Sequence, residues 1–114
     1  MEIDDRLISF FENICGSDFW EYISDKVLVL PNDSDTCFYG CFPIVYDDIL
    51  MDIRVSVPEI HNLKDLLINV HEFAHAVELY YELGTFYIDD VDLREATAKN
   101  MERKFTAVLS KKNI

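Results

Sequence analysis

The chain has 114 residues and a mass of 13.3 kDa, enough for one hydrophobic core but not two, so residues 1–114 are expected to form a single domain. Half of the residues are apolar and 13% are aromatic, which excludes a disordered tail and provides for a packed interior. Ten Lys and Arg stand against 22 Asp and Glu, a formal net charge of −12, and a surface of that sign repels phosphate backbones and excludes nucleic acid as a partner.

The acid is unevenly spread. Residues 1–60 hold 13 acids and 3 bases, a net charge of −10. In residues 94–114 the balance reverses, with Arg94, Lys99, Arg103, Lys104, Lys111 and Lys112 against Glu95 and Glu102. Solubility and a role in choosing partners are both open readings of this pattern. Met1-Glu2-Ile3-Asp4-Asp5 is acidic where a secretory leader is basic, and the longest uncharged stretch, Thr36 to Tyr46, is too short to cross a bilayer. A cytoplasmic chain with no membrane partner is therefore expected. Cys15, Cys37 and Cys41 are odd in number and form no C-x-x-C. In an extended segment Cys37 and Cys41 would lie roughly 13 Å apart, too far for a disulfide, so free thiols packed as small hydrophobes are expected.

Taken in order, Asp4 or Asp5 can cap a helix reaching Ile14, with Phe10, Phe11 and Ile14 on its apolar side and Gly16 as its stop. Ser17 to Ser24 adds a short second helix around Phe19, Trp20 and Ile23. Lys26 to Leu30 reads as a strand by β-branched content, ended by the turn cluster Pro31 to Asp35. Thr36 to Phe42 is a second strand, in which Gly40 marks a bulge or a close backbone approach. Ile49 to Val57 alternates, with Ile53, Val55 and Val57 on one side and Asp52, Arg54 and Ser56 on the other, as in a half-buried edge strand. Pro58 closes it. Asn62 and Asp65 open a helix that runs to Leu83 before Gly84, and after a loop from Thr85 to Asp90 a last helix is capped by Asp92 and reaches Ser110. Strands followed by helices argue for an α+β fold, with a small, mostly antiparallel three-stranded sheet.

The chemistry is concentrated at His71-Glu72-Phe73-Ala74-His75, an H-E-x-x-H motif. On a helix the two histidines lie one turn apart and about 40° round the axis, so both imidazoles can reach one ion. Glu72 stands about 100° from His71, at the edge of that face, where it can take a proton from a metal-bound water without being a ligand. Leu66, Val70, Phe73, Ala74, Val77 and Tyr81 form the opposite, apolar side, so the helix packs behind while the histidines look into a cleft. Neutral imidazoles of this spacing suit Zn2+, which needs a third protein ligand in a catalytic site. His61 would have to fold back, and Glu78 and Glu82 lie along the same helix beyond the ion. Glu95 is the preferred third ligand, because it flanks the last helix's apolar stripe of Ala98, Met101, Phe105, Val108 and Leu109, and a carboxylate there is costly unless paired or metal-bound. Glu102, two turns further on, is its rival, or else the acceptor of a liganding histidine's remaining N–H. Cys37 or Cys41 could cap a metal in a latent form, although packing within the strands explains them more plainly.

With these residues the chain resembles the gluzincin metallopeptidases, which carry H-E-x-x-H on one helix and a glutamate ligand on a later one. Val70 to Ala76 followed by Glu95-Ala96-Thr97-Ala98-Lys99-Asn100-Met101-Glu102 is similar to the oligoendopeptidase F and thimet oligopeptidase pattern. The short length and the order of elements are similar to the single-domain minigluzincins. The resemblance covers Asn62 to Glu102 and implies a zincin-like fold, zinc held by His71, His75 and Glu95, Glu72 as general base, and a peptide or protein substrate. The thimet type has glycine where Ala74 stands here, and its oxyanion-stabilising His and Tyr follow the glutamate. In this chain no His follows His75 and no Tyr follows Tyr87, which leaves Tyr80, Tyr81, Tyr87, His61, Arg54 or another chain for that part. A zinc-dependent peptidase is the leading expectation, with its peptide added to the free edge of Ile49–Val57. A zincin-fold binding or regulatory protein, metallated but inactive or latent, is the alternative, and a metal-free α+β domain is what remains without zinc.

Overall fold

The computed structural model describes residues 3–32, 39–47, 49–83 and 91–112. They form helices α1 (Asp5–Cys15) and α2 (Ser17–Lys26), strands β1 (Val27–Pro31), β2 (Gly40–Tyr46) and β3 (Ile49–Val57), and helices α3 (Leu63–Leu83) and α4 (Val91–Lys112). The fold is α+β. Asp4 caps α1 by accepting from the Arg6 amide at 2.8 Å, and Gly16 ends the helix at φ 87°, a conformation that costs glycine little. At the start of α3, Asn62 Oδ1 accepts from the Asp65 amide (2.9 Å) and Asp65 Oδ2 accepts from the His61 amide (3.1 Å), a reciprocal cap. α4 begins at Val91, so Asp92 lies inside its first turn and not ahead of it. Gly84, the loop 85–90 and Cys37 lie outside the described residues.

The sheet departs from the expected one in two ways. Its order is β1-β3-β2, with β2 antiparallel and β1 parallel to β3, so it is mixed and not mostly antiparallel. The chain passes from β1 to the far edge as β2, turns at Asp47 (φ 50°) and returns between the two as β3. Consequently Ile49–Val57 is the central strand and not an edge: β1 covers it from Ile53 to Val57, and among the described residues only Ile49–Asp52 are left unpaired on that side, which shortens the edge expected to receive a peptide. Burial explains the placement, since Ile53, Val55 and Val57 are fully buried and the middle of a small sheet is its best-covered lane. At Gly40 neither a bulge nor another backbone is found: a Cβ there would meet only the tip of the exposed Phe42 ring, at 2.6 Å. The register irregularity lies between Ile44 and Val45.

One face of the sheet packs on α3, and α4 packs on α3 in turn. Phe11 and Trp20 stack at 5.3 Å and both approach Phe73 of α3, while Phe10 meets Phe105 of α4 edge-on at 5.1 Å. The buried set runs from Leu7 of α1 through Val70 and Val77 of α3 to Ala98 of α4, so these aromatics fix α3 relative to both its neighbours. No helix among the described residues is long and apolar enough to cross a membrane.

Candidate metal centre

The packed side of α3 determines where the other side looks. Val70, Phe73, Ala74 and Val77 are buried, whereas the side chains of His71 and His75 keep 18% and 13% exposure at the seam with α4. Asn69, itself buried, donates to the carbonyls of Pro58 (3.1 Å) and Asp65 (2.9 Å), tying the end of β3 to α3 two residues before His71. Asn69 is not among the residues that the sequence motif singles out. Its signal was a polar side chain amid the apolar residues flanking the motif, which must find partners if buried.

Three groups converge. The Nε2 atoms of His71 and His75 are 3.3 Å apart, and the Glu95 carboxylate spans them, with Oε2 at 3.2 Å from His71 and Oε1 at 3.1 Å from His75. Four ligands around zinc at about 2.0–2.1 Å sit roughly 3.3–3.4 Å from one another, close to this spacing. Glu102 Oε2 stands 3.3 Å from His71 Nδ1, the ring nitrogen that faces away from the convergence point. If that nitrogen carries the proton it donates to Glu102, and the Nε2 lone pair is left pointing inward. Glu78 Oε2 lies 3.8 Å from His75 Nδ1, near the ring but beyond hydrogen-bond distance. The arrangement brings two imidazole nitrogens and a carboxylate to one point, a geometry in which an Nε2–H donates to Glu95 or the three groups share one cation. His71, Glu72 and His75 each offer a ligand atom within 4.8 Å of the others.

Glu72 is buried, and its Oε1 is 3.8 Å from His71 Nε2. Burial raises its carboxyl above the ordinary range; His71 opposes this, while Glu95 and Glu102 push it further up. Cys41 on β2 lies within electrostatic reach of Glu72, and burial first, then that carboxylate, pushes its thiol up to about 12. Cys41 packs, partly buried, against the hydrophobic core. Cys15 is likewise a free thiol raised by burial.

The remaining sequence candidates fall elsewhere. His61 is 68% exposed beside Glu59 and lies ahead of α3, whose first residue Leu63 is already roughly 12 Å of helix rise before His71. Arg54 is half exposed and lies 3.7 Å from Asp52, on the sheet face turned away from the buried Ile53 and Val55. The side chains of Tyr80, Tyr81, Glu82 and Tyr87 lie outside the described residues. The chain matches no family model, and no curated protein or solved structure is significantly similar to it.

Proposed function

We propose that the chain is a small zinc-dependent peptidase of zincin-like fold, with Zn2+ held by His71, His75 and Glu95. The observation that carries this reading is the convergence of two imidazole nitrogens and one carboxylate at 3.1–3.3 Å, with Glu72 beside them. A bound zinc supplies the Lewis acidity that polarises a water and a peptide carbonyl. The chain's own residues do the rest. Glu102 holds the His71 ring by its outer nitrogen, at 3.3 Å. Burial strengthens Glu72 as a base, so it takes a proton from the attacking water and passes it to the departing amine as the C–N bond breaks.

The test is Glu72→Gln, which cannot accept that proton yet leaves the three ligands in place. The variant should bind zinc as the wild type does while losing chelator-sensitive hydrolysis of a broad peptide library. Equal hydrolysis by both proteins would remove Glu72 from the role of base.

One observation favours the second reading, a metallated binding or regulatory protein. Of the candidate oxyanion donors, the two described, His61 and Arg54, are both turned elsewhere, and loss of such a donor costs on the order of 10²–10³ in rate. A wild type that holds zinc stoichiometrically but cleaves nothing in the library would favour this reading over the first.

A further inference from the structure

Behind the histidines, α3 borders a cavity. Asn69 and Phe73 each lie about 200° round the helix axis from His71, so they face away from the metal centre. Between them and the residues of α1 and β1 is a cavity of about 190 Å³. Leu7, Val29 and Phe73, all buried, form its inner walls, and the half-buried Ile3, Asp4 and Ile60 stand at its mouth.

One polar atom interrupts this apolar lining. Asn69 is 2% exposed and shows the cavity the little surface it keeps. Its amide nitrogen donates both hydrogens, to the carbonyls of Pro58 (3.1 Å) and Asp65 (2.9 Å). Those two acceptors fix the orientation of the amide, because an oxygen in the nitrogen's place could bond to neither. Oδ1 itself accepts no hydrogen bond among the described residues. A buried acceptor without a donor is costly, and a donor entering the cavity removes that cost.

The mouth narrows the class of ligand. Both Asp4 oxygens are engaged by Arg6, Oδ1 by its amide and Nε at 2.8 and 3.0 Å and Oδ2 by Nη2 at 2.9 Å. That carboxylate is already paired and calls for no further cation. An anion would meet Asp4 and Asn69 Oδ1, with no basic side chain among the lining residues to receive it. What fits is a neutral molecule with one donor on an apolar body. Volume sets the body: apolar cavities of about 150 Å³ take up benzene, so about 190 Å³ accommodates one six-membered ring and a hydroxyl. The Phe73 ring in the wall favours an aromatic one.

We propose that this cavity is a binding site for a small monocyclic phenol, its ring packed against Leu7, Val29 and Phe73 and its O–H donated to Asn69 Oδ1. The proposal does not rest on the zinc reading.

Amide-resolved NMR of the full-length chain, titrated with phenol to about 10 mM, tests it. Saturable shifts should appear at the Asn69 side-chain amide and at the backbone amides of Leu7, Val29 and Phe73, with a dissociation constant of about 1 mM or below. Toluene, of the same size but without the donor, should bind at least about five-fold more weakly, because it leaves the acceptor unpaired. This comparison reads the part played by Asn69 without altering a side chain whose two donated bonds tie the end of β3 to α3. Benzoate should produce no saturable shift. Ile60→Trp, which fills the mouth from a half-buried position, should abolish phenol binding while the melting temperature is kept, and Ile3→Trp substitutes for it if that variant fails to fold. The absence of saturable shifts with phenol overturns the proposal, as does toluene binding as tightly as phenol, or phenol binding that survives the mouth-filling substitution.

Discussion

The two faces of α3 are built on opposite principles. Its packed face, Val70, Phe73, Ala74 and Val77, meets Phe11, Trp20 and the buried residues of β3 with no ionisable group among them. Its other face gathers two imidazoles and the carboxylates of Glu72, Glu78, Glu95 and Glu102 within 3.1 to 3.8 Å of a ring nitrogen. The first is complete within the chain. The second is a cluster of ring nitrogens and carboxylates paired with one another, held in place by the first, and on the proposed reading it holds a cation. What the contrast teaches is a division of labour, in which apolar burial fixes the helix and the polar face spends that rigidity on geometry.

The largest effect that sharpens the contrast belongs to the ligands. His71→Ala or His75→Ala should lower zinc affinity by more than about 1,000-fold, beyond the ~10–100-fold typical when an outer partner is lost. Competition with a chromophoric chelator measures it. Next comes the packed face. Phe11→Ala should cost about 3–5 kcal/mol in urea unfolding, while the folded fraction keeps its zinc affinity. A zinc affinity that fell in step with stability would show that the two faces are not separable.

A smaller effect ranks the acids. Glu95→Ala should lose zinc more severely than Glu102→Ala, for which a loss of ~10–100-fold is expected, and Glu78→Ala should lose less than about ten-fold. The reverse order for Glu95 and Glu102 would mean that α4 meets the histidines two turns further along. The smallest effect lies at the start of α1. Asp4→Ala removes the α1 cap and should cost about 1 kcal/mol at pH 7. The Arg6 side chain's hydrogen bond holds the Asp4 carboxyl below its ordinary 3.8, despite some burial. The charged cap is therefore fully present above that value and is lost as pH falls through the lowered one, so the gap between wild type and Asp4→Ala should narrow in urea titrations at pH 2.

Legibility from sequence followed locality. The histidine pair, Glu72 and the apolar back of α3 follow from helical spacing within one segment, and the described residues place them as that spacing requires. Glu95 and Glu102 were ordered by their position beside a stripe on α4, and each now stands within 3.3 Å of a histidine nitrogen. Val108 marks the limit of that method, because it falls on the stripe by angle yet is 38% exposed where α1 leaves a groove. The order of the strands was not legible. Alternation in Ile49–Val57 tells which face is buried, but an edge strand and a central one share that pattern when only one face of the sheet is covered. The role of Asn69 is not legible for a related reason: it depends on which atoms lie opposite, and spacing along the chain does not reveal that.

The central claim is that the polar face of α3 is a site for one zinc ion. Zinc content per chain, measured by native mass spectrometry on protein purified without added metal, tests it most directly when wild type, His71→Ala and Glu95→Ala are run side by side. The account predicts one zinc per wild-type chain, none on His71→Ala, and a sharply reduced fraction on Glu95→Ala. Wild type without zinc even after incubation with the metal, or stoichiometric zinc retained by His71→Ala, would contradict it.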